Sequence, residues 1–274
     1  IHLVLLLLAF TLVAWIAARY DRPAARNLLG HYFDSPLPAV IQSVVLVYRP
    51  PLLDILPLYI LLVAITPAVL ALARRAGWAR VLAGSAVIWL AAQFGLRSAL
   101  HGALHLPIAL NLMGSFDLFA WQLLWVGGLW FGTAGVPMLK ARPERMQALL
   151  RAAAVLATLM LVYRHLAGPH GWMDLTTRLF WLDKWSLSTL RILNIAAITG
   201  TLMLVGPAIA SRLRALLRPF EILGRASLWV FTAHLASLLL LLCVVGSDVR
   251  LLDGAAGLAA AAAGFAAVFV ASAL

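Results

Sequence analysis

The sequence predicts an all-α integral membrane protein, a polytopic bundle of about eight transmembrane helices, on the strength of three observations. The 274 residues are 64% hydrophobic and only 11% charged, where a soluble domain carries about a quarter charged residues. The apolar residues gather into eight stretches, 1–18, 55–73, 81–97, 120–139, 152–167, 190–209, 227–245 and 255–274, each near the ~20 residues that a bilayer-crossing helix needs. Basic residues collect in every second connection, as expected of loops held in the cytoplasm.

The first stretch opens at Ile1 inside an apolar run, and the last stops at Leu274 inside another. Ile1 to Ala18 lacks the charged start and small-residue cleavage site of a secretory signal. The expectation is one membrane domain, 1–274, truncated at both termini, from a protein of about ten helices. The connections after the second, fourth and sixth stretches carry Arg74, Arg75 and Arg80; Lys140, Arg142, Arg145 and Arg151; and Arg212, Arg214, Arg218 and Arg225. The alternate connections mix signs, with Asp21, Asp34, Arg49 and Asp54 in one and Asp174, Asp183, Lys184 and Arg191 in another. The first stretch therefore runs from inside to outside, and the last returns inside.

Two outer connections exceed what a simple turn requires. Residues 19–54 hold a weakly apolar run, Ala39 to Tyr48, that lies at the interface or re-enters. Residues 168–189 hold Trp172, Phe180, Trp181 and Trp185, which form an interfacial belt or line a groove for sugars. Gly127, Gly128 and Gly132 suggest close helix approach, and the Ala- and Gly-rich 255–274 reads as a packing helix.

The net charge of +11 sits in loops flanking apolar stretches, which argues for a lipid bilayer as partner and against nucleic acid. Cys243 is the only cysteine, so no internal disulfide and no cysteine-based metal site is expected. His101 and His105 are four apart, but no third metal ligand is evident and no metal is expected. No GxSxG elbow, Walker loop or HExxH motif is present.

Ionisable and amide groups are costly in a bilayer, so those at helix ends are candidates for function. On the outer side these are Arg49 and Asp54 before 55–73, Gln93 and Arg97 closing 81–97, Asp117 and Gln122 opening 120–139, and Asp183, Lys184, Arg191 and Asn194 at the start of 190–209. Gln122 reads equally as glue between helices and as a substrate contact. His234 sits inside 227–245, where an imidazole serves as a hydrogen-bond partner between helices or exchanges a proton.

Four runs occur in order: Arg49-Pro50-Pro51-Leu52-Leu53-Asp54-Ile55-Leu56-Pro57-Leu58-Tyr59; Phe116-Asp117-Leu118-Phe119-Ala120-Trp121-Gln122-Leu123-Leu124; Asp183-Lys184 with Leu187 and Leu190-Arg191; and Leu223-Gly224-Arg225-Ala226-Ser227-Leu228-Trp229-Val230-Phe231. Together they resemble the OpgC (MdoC) family within the acyltransferase-3 superfamily, over about Ile1 to Val245. The resemblance implies a multi-pass O-acyltransferase of the bacterial inner membrane, with no bound cofactor. It would pass a succinyl group from a cytoplasmic acyl-CoA, succinyl-CoA, to hydroxyls of a periplasmic glucan. Arg49, Asp54, Asp117, Gln122, Asp183, Lys184, Arg191 and His234 would be the substrate-binding candidates. The superfamily's catalytic His is expected upstream of Ile1. Asp117 stands where the family pattern leads one to expect Asn, and Asn194 where it leads one to expect His. The rival readings are a transporter or flippase for an anionic or sugar-linked substrate, which needs a continuous polar path, and a membrane scaffold, which needs no clustered outer charges.

Overall fold

The computed structural model describes residues 1–20, 22–166 and 181–244. Every element among them is helical. Helix α1, His2–Arg19, contains a π-helical turn at Ala9–Val13. Short helices α2 (Pro23–Leu28), α3 (Gly30–Asp34) and α4 (Pro36–Val44) follow. Next come α5 (Ile55–Ala76), α6 (Trp78–Gln93), α7 (Leu96–Leu104) and α8, which begins as Leu118–Trp130 and continues through a π turn to Lys140. The series closes with α9 (Pro143–Leu166), α10 (Thr189–Arg212), α11 (Arg214–Arg225) and α12 (Ser227–Val244). Five helices are long and apolar enough to cross a membrane, or up to seven if each of two bent pairs is one span. The stretch 255–274 lies outside the described residues, as do Trp172, Asp174 and Phe180.

The expected helix 81–97 is broken. Gly95 takes φ +86°, a left-handed conformation that glycine adopts without a Cβ clash, and α7 leaves α6 at 78°. Gln93 and Arg97 therefore stand on different limbs. His105 ends α7 with φ 47°, so it does not continue the helical face of His101. Among the described residues no group of three or more His, Cys, Asp or Glu is placed to hold a metal ion.

The chain forms two compact units, Ile1–Pro57 with Pro107–Ser115 and Ala215–Leu274, and Leu58–Leu106 with Phe116–Arg214. Hydropathy does not register this division, because both units are built from equally apolar helices.

In the first unit the segment after α1 folds back along it. Tyr32 of α3 stacks on Phe10, halfway along α1, at 4.6 Å between ring centres. Further on, the Ser43 carbonyl of α4 lies 3.4 Å from His2 Nε2 at the start of α1. Leu37, Ile41 and Val44 share one face of α4 by their spacing and are 70%, 54% and 52% exposed. Helix α4 thus lies alongside α1 and presents an exposed apolar stripe. Helix α12 packs against α1 and α2 through a buried stripe of Leu235, Leu239 and Cys243. The Cys243 thiol donates to the Leu239 carbonyl.

In the second unit α6 packs on α8, and α9 on α10. Helices α9 and α10 approach closely at Gly200 of α10, where an added Cβ would meet the Ala153 Cβ of α9 at 2.6 Å. Such small-residue contacts let membrane helices pack without a large apolar driving force. The expected close approach at Gly127, Gly128 and Gly132 is not made: among the described residues nothing lies within 4 Å of a Cβ built there. Ala92, Ala120 and Leu187 form a buried cluster under Trp89, Phe119, Trp121 and Leu124. No residue of α9 is buried, and its exposed Val155, Leu159 and Leu161 suit a lipid-facing surface.

Candidate functional site

Polar side chains gather at two turns, one in each unit. In the first unit the turn 45–54 links α4 to α5. Backbone polar groups in a low-dielectric setting need partners, and here the chain supplies them. The amides of Val47 and Tyr48 both donate to the Gln42 carbonyl, at 2.8 and 3.0 Å, and the Arg49 amide donates to the Leu112 carbonyl at 3.0 Å. Arg49 Nε donates to the Leu46 carbonyl at 3.1 Å. Asp54 Oδ2 accepts from the Ser115 amide at 3.0 Å. Arg49 and Asp54 are both buried, 8% and 7% exposed.

Gly114 fits between them. Its φ is +82°, and a Cβ there would meet Arg49 Cδ and Asp54 Cβ, each at 3.0 Å. Beside this group, His31 Nε2 lies 2.8 Å from Gln42 Oε1, and the His31 ring meets buried Tyr48 edge-on at 4.7 Å. His31, Gln42, Tyr48, Arg49 and Asp54 thus gather polar groups around this turn.

In the second unit the turn 183–188 leads into α10. Asp183 organises it: Oδ2 accepts from the Ser186 amide at 2.8 Å, Oδ1 from the Trp185 amide at 3.3 Å, and its carbonyl accepts from the Ser188 amide. Ser188 Oγ donates to the Trp181 carbonyl at 2.6 Å. The turn's own carbonyls are closed by neighbouring helices. Gln93 donates to Ser186 O, Trp89 Nε1 to Leu187 O and Trp121 Nε1 to Trp185 O. The Asp117 amide adds a second donor to Trp185 O at 3.1 Å.

Asp117 also caps α8, its Oδ1 accepting from the Phe119 amide at 2.8 Å. Asn and Asp serve about equally at such a cap, which accounts physically for Asp where Asn is expected. Phe116 stands edge-on to both Trp121 and Trp185, at 5.2 and 5.0 Å.

Gln122 links α8 to α6 through hydrogen bonds with Ser85. Its Nε2 donates to the carbonyls of Ser85 and Phe119 at 2.8 and 3.1 Å, and its Oε1 accepts from Ser85 Oγ at 2.7 Å. Both N–H groups are thereby used.

Arg191 and Lys184 are differently placed. Arg191 Nε donates to the Leu182 carbonyl at 2.9 Å, which fixes the guanidinium while its two Nη groups make no hydrogen bond among the described residues. Lys184 Nζ lies 4.1 Å from the Trp185 ring centre, in cation–π range. Trp181 and Trp185 remain 39% and 38% exposed. Asn194, one turn after Arg191, is half-buried. His234 is exposed on α12 and belongs to neither turn.

Several participants carry little sequence signal. Ser85 and Trp89 are unremarkable inside an apolar helix, and His31 and Gln42 sit in a connection. Leu46, Leu52 and Leu187 adopt positive φ of 64°, 69° and 49°, and no sequence rule assigns a left-handed turn to leucine.

Apolar helices able to cross a membrane, with polar turns held rigidly at their ends, define a multi-pass helical membrane protein. The chain belongs to the OpgC protein family, which it matches over residues 1–274. No curated protein and no solved structure matches it.

Proposed function

We propose that the protein is a membrane O-acyltransferase of the bacterial inner membrane. It moves a succinyl group from a cytoplasmic acyl-CoA to hydroxyls of a periplasmic glucan. Membership of the OpgC family across the whole chain carries this reading. The turn at 183–191 supports it locally. The Nη groups of Arg191, which make no hydrogen bond among the described residues, suit a carboxylate such as that of a succinyl group, and the partly exposed Trp181 and Trp185 suit contact with a sugar.

In the reaction a glucosyl hydroxyl oxygen bonds to the thioester carbonyl carbon, and the carbon–sulfur bond breaks. The hydroxyl proton passes to a general base, and the thiolate leaves as CoA and is protonated. None of the described residues is assigned as that base. Arg191 and Lys184 bind and offset negative charge, while Asp183, Asp117 and Gln122 position the turn that carries them.

A second reading, a transporter, draws on one observation. Polar groups gather at the turn 45–54 beside a segment that folds back along α1, as along a substrate path. The test is reconstitution of the full-length protein with labelled succinyl-CoA and glucan. Acyltransfer gives glucan ester and free CoA thiol in equal amounts. Movement of substrate without thiol release favours the transporter.

A further inference from the structure

Helix α11 is the most sharply two-faced element of the chain. Arg214, Arg218, Glu221 and Arg225 recur at i, i+4, i+7 and i+11, so they form one stripe on an α-helix. Leu216, Phe220 and Leu223 recur on the opposite side. That side is uncovered: Leu216 and Phe220 are 65% and 57% exposed, and no residue of the helix is buried. In water this face would be an unexplained liability.

The bend that follows says what covers it. Helix α11 meets α12 at 82°. The 18 residues of α12, at ~1.5 Å each, reach roughly 27 Å, close to the ~30 Å of a bilayer's hydrocarbon. Helix α12 is thus long enough to cross by itself, and α11 runs nearly at right angles to it. Threading α11 into the hydrocarbon would also bury three arginines and a glutamate, which make no ion pair or side-chain hydrogen bond among the described residues.

We propose that α11 lies in the plane of the cytoplasmic leaflet. Its Leu216–Phe220–Leu223 face enters the acyl chains, and its arginine stripe stays among anionic headgroup phosphates and water. A large separation of faces, low overall hydrophobicity, and Arg opposite Phe and Leu are the marks of interfacial helices. Basic residues beside a span are drawn to the anionic inner leaflet. The proposal is independent of which reaction the protein performs.

Cysteine labelling tests this. In the full-length protein with Cys243 and any other native cysteine replaced by alanine, Phe220→Cys and Arg218→Cys are labelled with bimane. Each is reconstituted in vesicles of phosphatidylcholine and phosphatidylglycerol, with brominated lipid or aqueous iodide as quencher. The expected result is quenching of the residue-220 label by brominated lipid with protection from iodide, and the reverse at 218. Three results overturn the proposal: both labels quenched by lipid alone, as in a broken span; both by iodide alone, as in a loop in water; or neither by either, as under a protein cover.

Discussion

Gln122 and Ser85 hold each other through both a hydroxyl and a carbonyl. Ser85 Oγ donates to the Gln122 amide oxygen, and the Gln122 nitrogen donates back to the Ser85 carbonyl. The pair fixes α8 against α6 one turn below the Asp117 cap, and so sets where Trp121 meets the 183–188 turn. In a double-mutant cycle, Ser85→Ala and Gln122→Ala should couple by about 0.6–2 kcal/mol. Thermal unfolding in detergent reads this out. Additivity of the two single changes would mean that the pair does not hold the helices.

Gly114→Ala should be costly. Its extended backbone at positive φ, with φ 82° and ψ 163°, costs a non-glycine residue about 1–3 kcal/mol, and the new methyl also presses on Arg49 and Asp54. Gly84→Ala is the control. Gly84 lies within α6 with nothing within 4 Å of a built Cβ, and helix propensity favours alanine there by up to about 1 kcal/mol. A lowered melting temperature at 114 and an unchanged or raised one at 84 is the expected contrast.

Asp117→Ala should cost about 0.5–2 kcal/mol, the usual effect of losing an N-cap. Asp117→Asn keeps an acceptor for the Phe119 amide and should cost less. Equal losses in the two variants would show that the carboxylate charge, not the cap, matters there.

The exposed apolar stripe of α4 should face lipid. A bimane label at Ile41→Cys, with Cys243 and any other native cysteine replaced by alanine, should be quenched by brominated lipid and spared by iodide. Strong iodide quenching would place α4 in water.

The spans were legible because eight apolar runs and alternating basic loops each report the bilayer directly. The breaks were less so. The 81–97 run reads as one helix although Gly95 breaks it, and Arg225-Ala226-Ser227 does not reveal an 82° bend. The run Ala39 to Tyr48 suits an interface and a re-entrant helix alike; the contacts of Tyr32 and Ser43 show that its segment folds back along α1. Motif residues were easy to single out and hard to assign. Asp117, Gln122 and Asp183 look like substrate ligands in a list of polar residues, yet each spends its polar atoms on backbone or helix contacts. What spacing cannot show is which guanidinium is fixed at one nitrogen and left open at the others, and that is the property that separates Arg191 from its neighbours.

Arg191 is therefore the residue on which the proposed function turns. The full-length protein, wild type or Arg191→Lys, is expressed in a host lacking its own glucan acyltransferase, and the mass and charge of periplasmic glucans are measured. The account predicts added succinyl groups with wild type. It predicts at least about a tenfold reduction with Arg191→Lys at equal membrane content, since lysine keeps the charge but loses the fork worth about 1.5–3 kcal/mol to a carboxylate. Unmodified glucans from well-inserted wild-type protein would contradict the acyltransferase reading, and full modification by Arg191→Lys would contradict the role given to this turn.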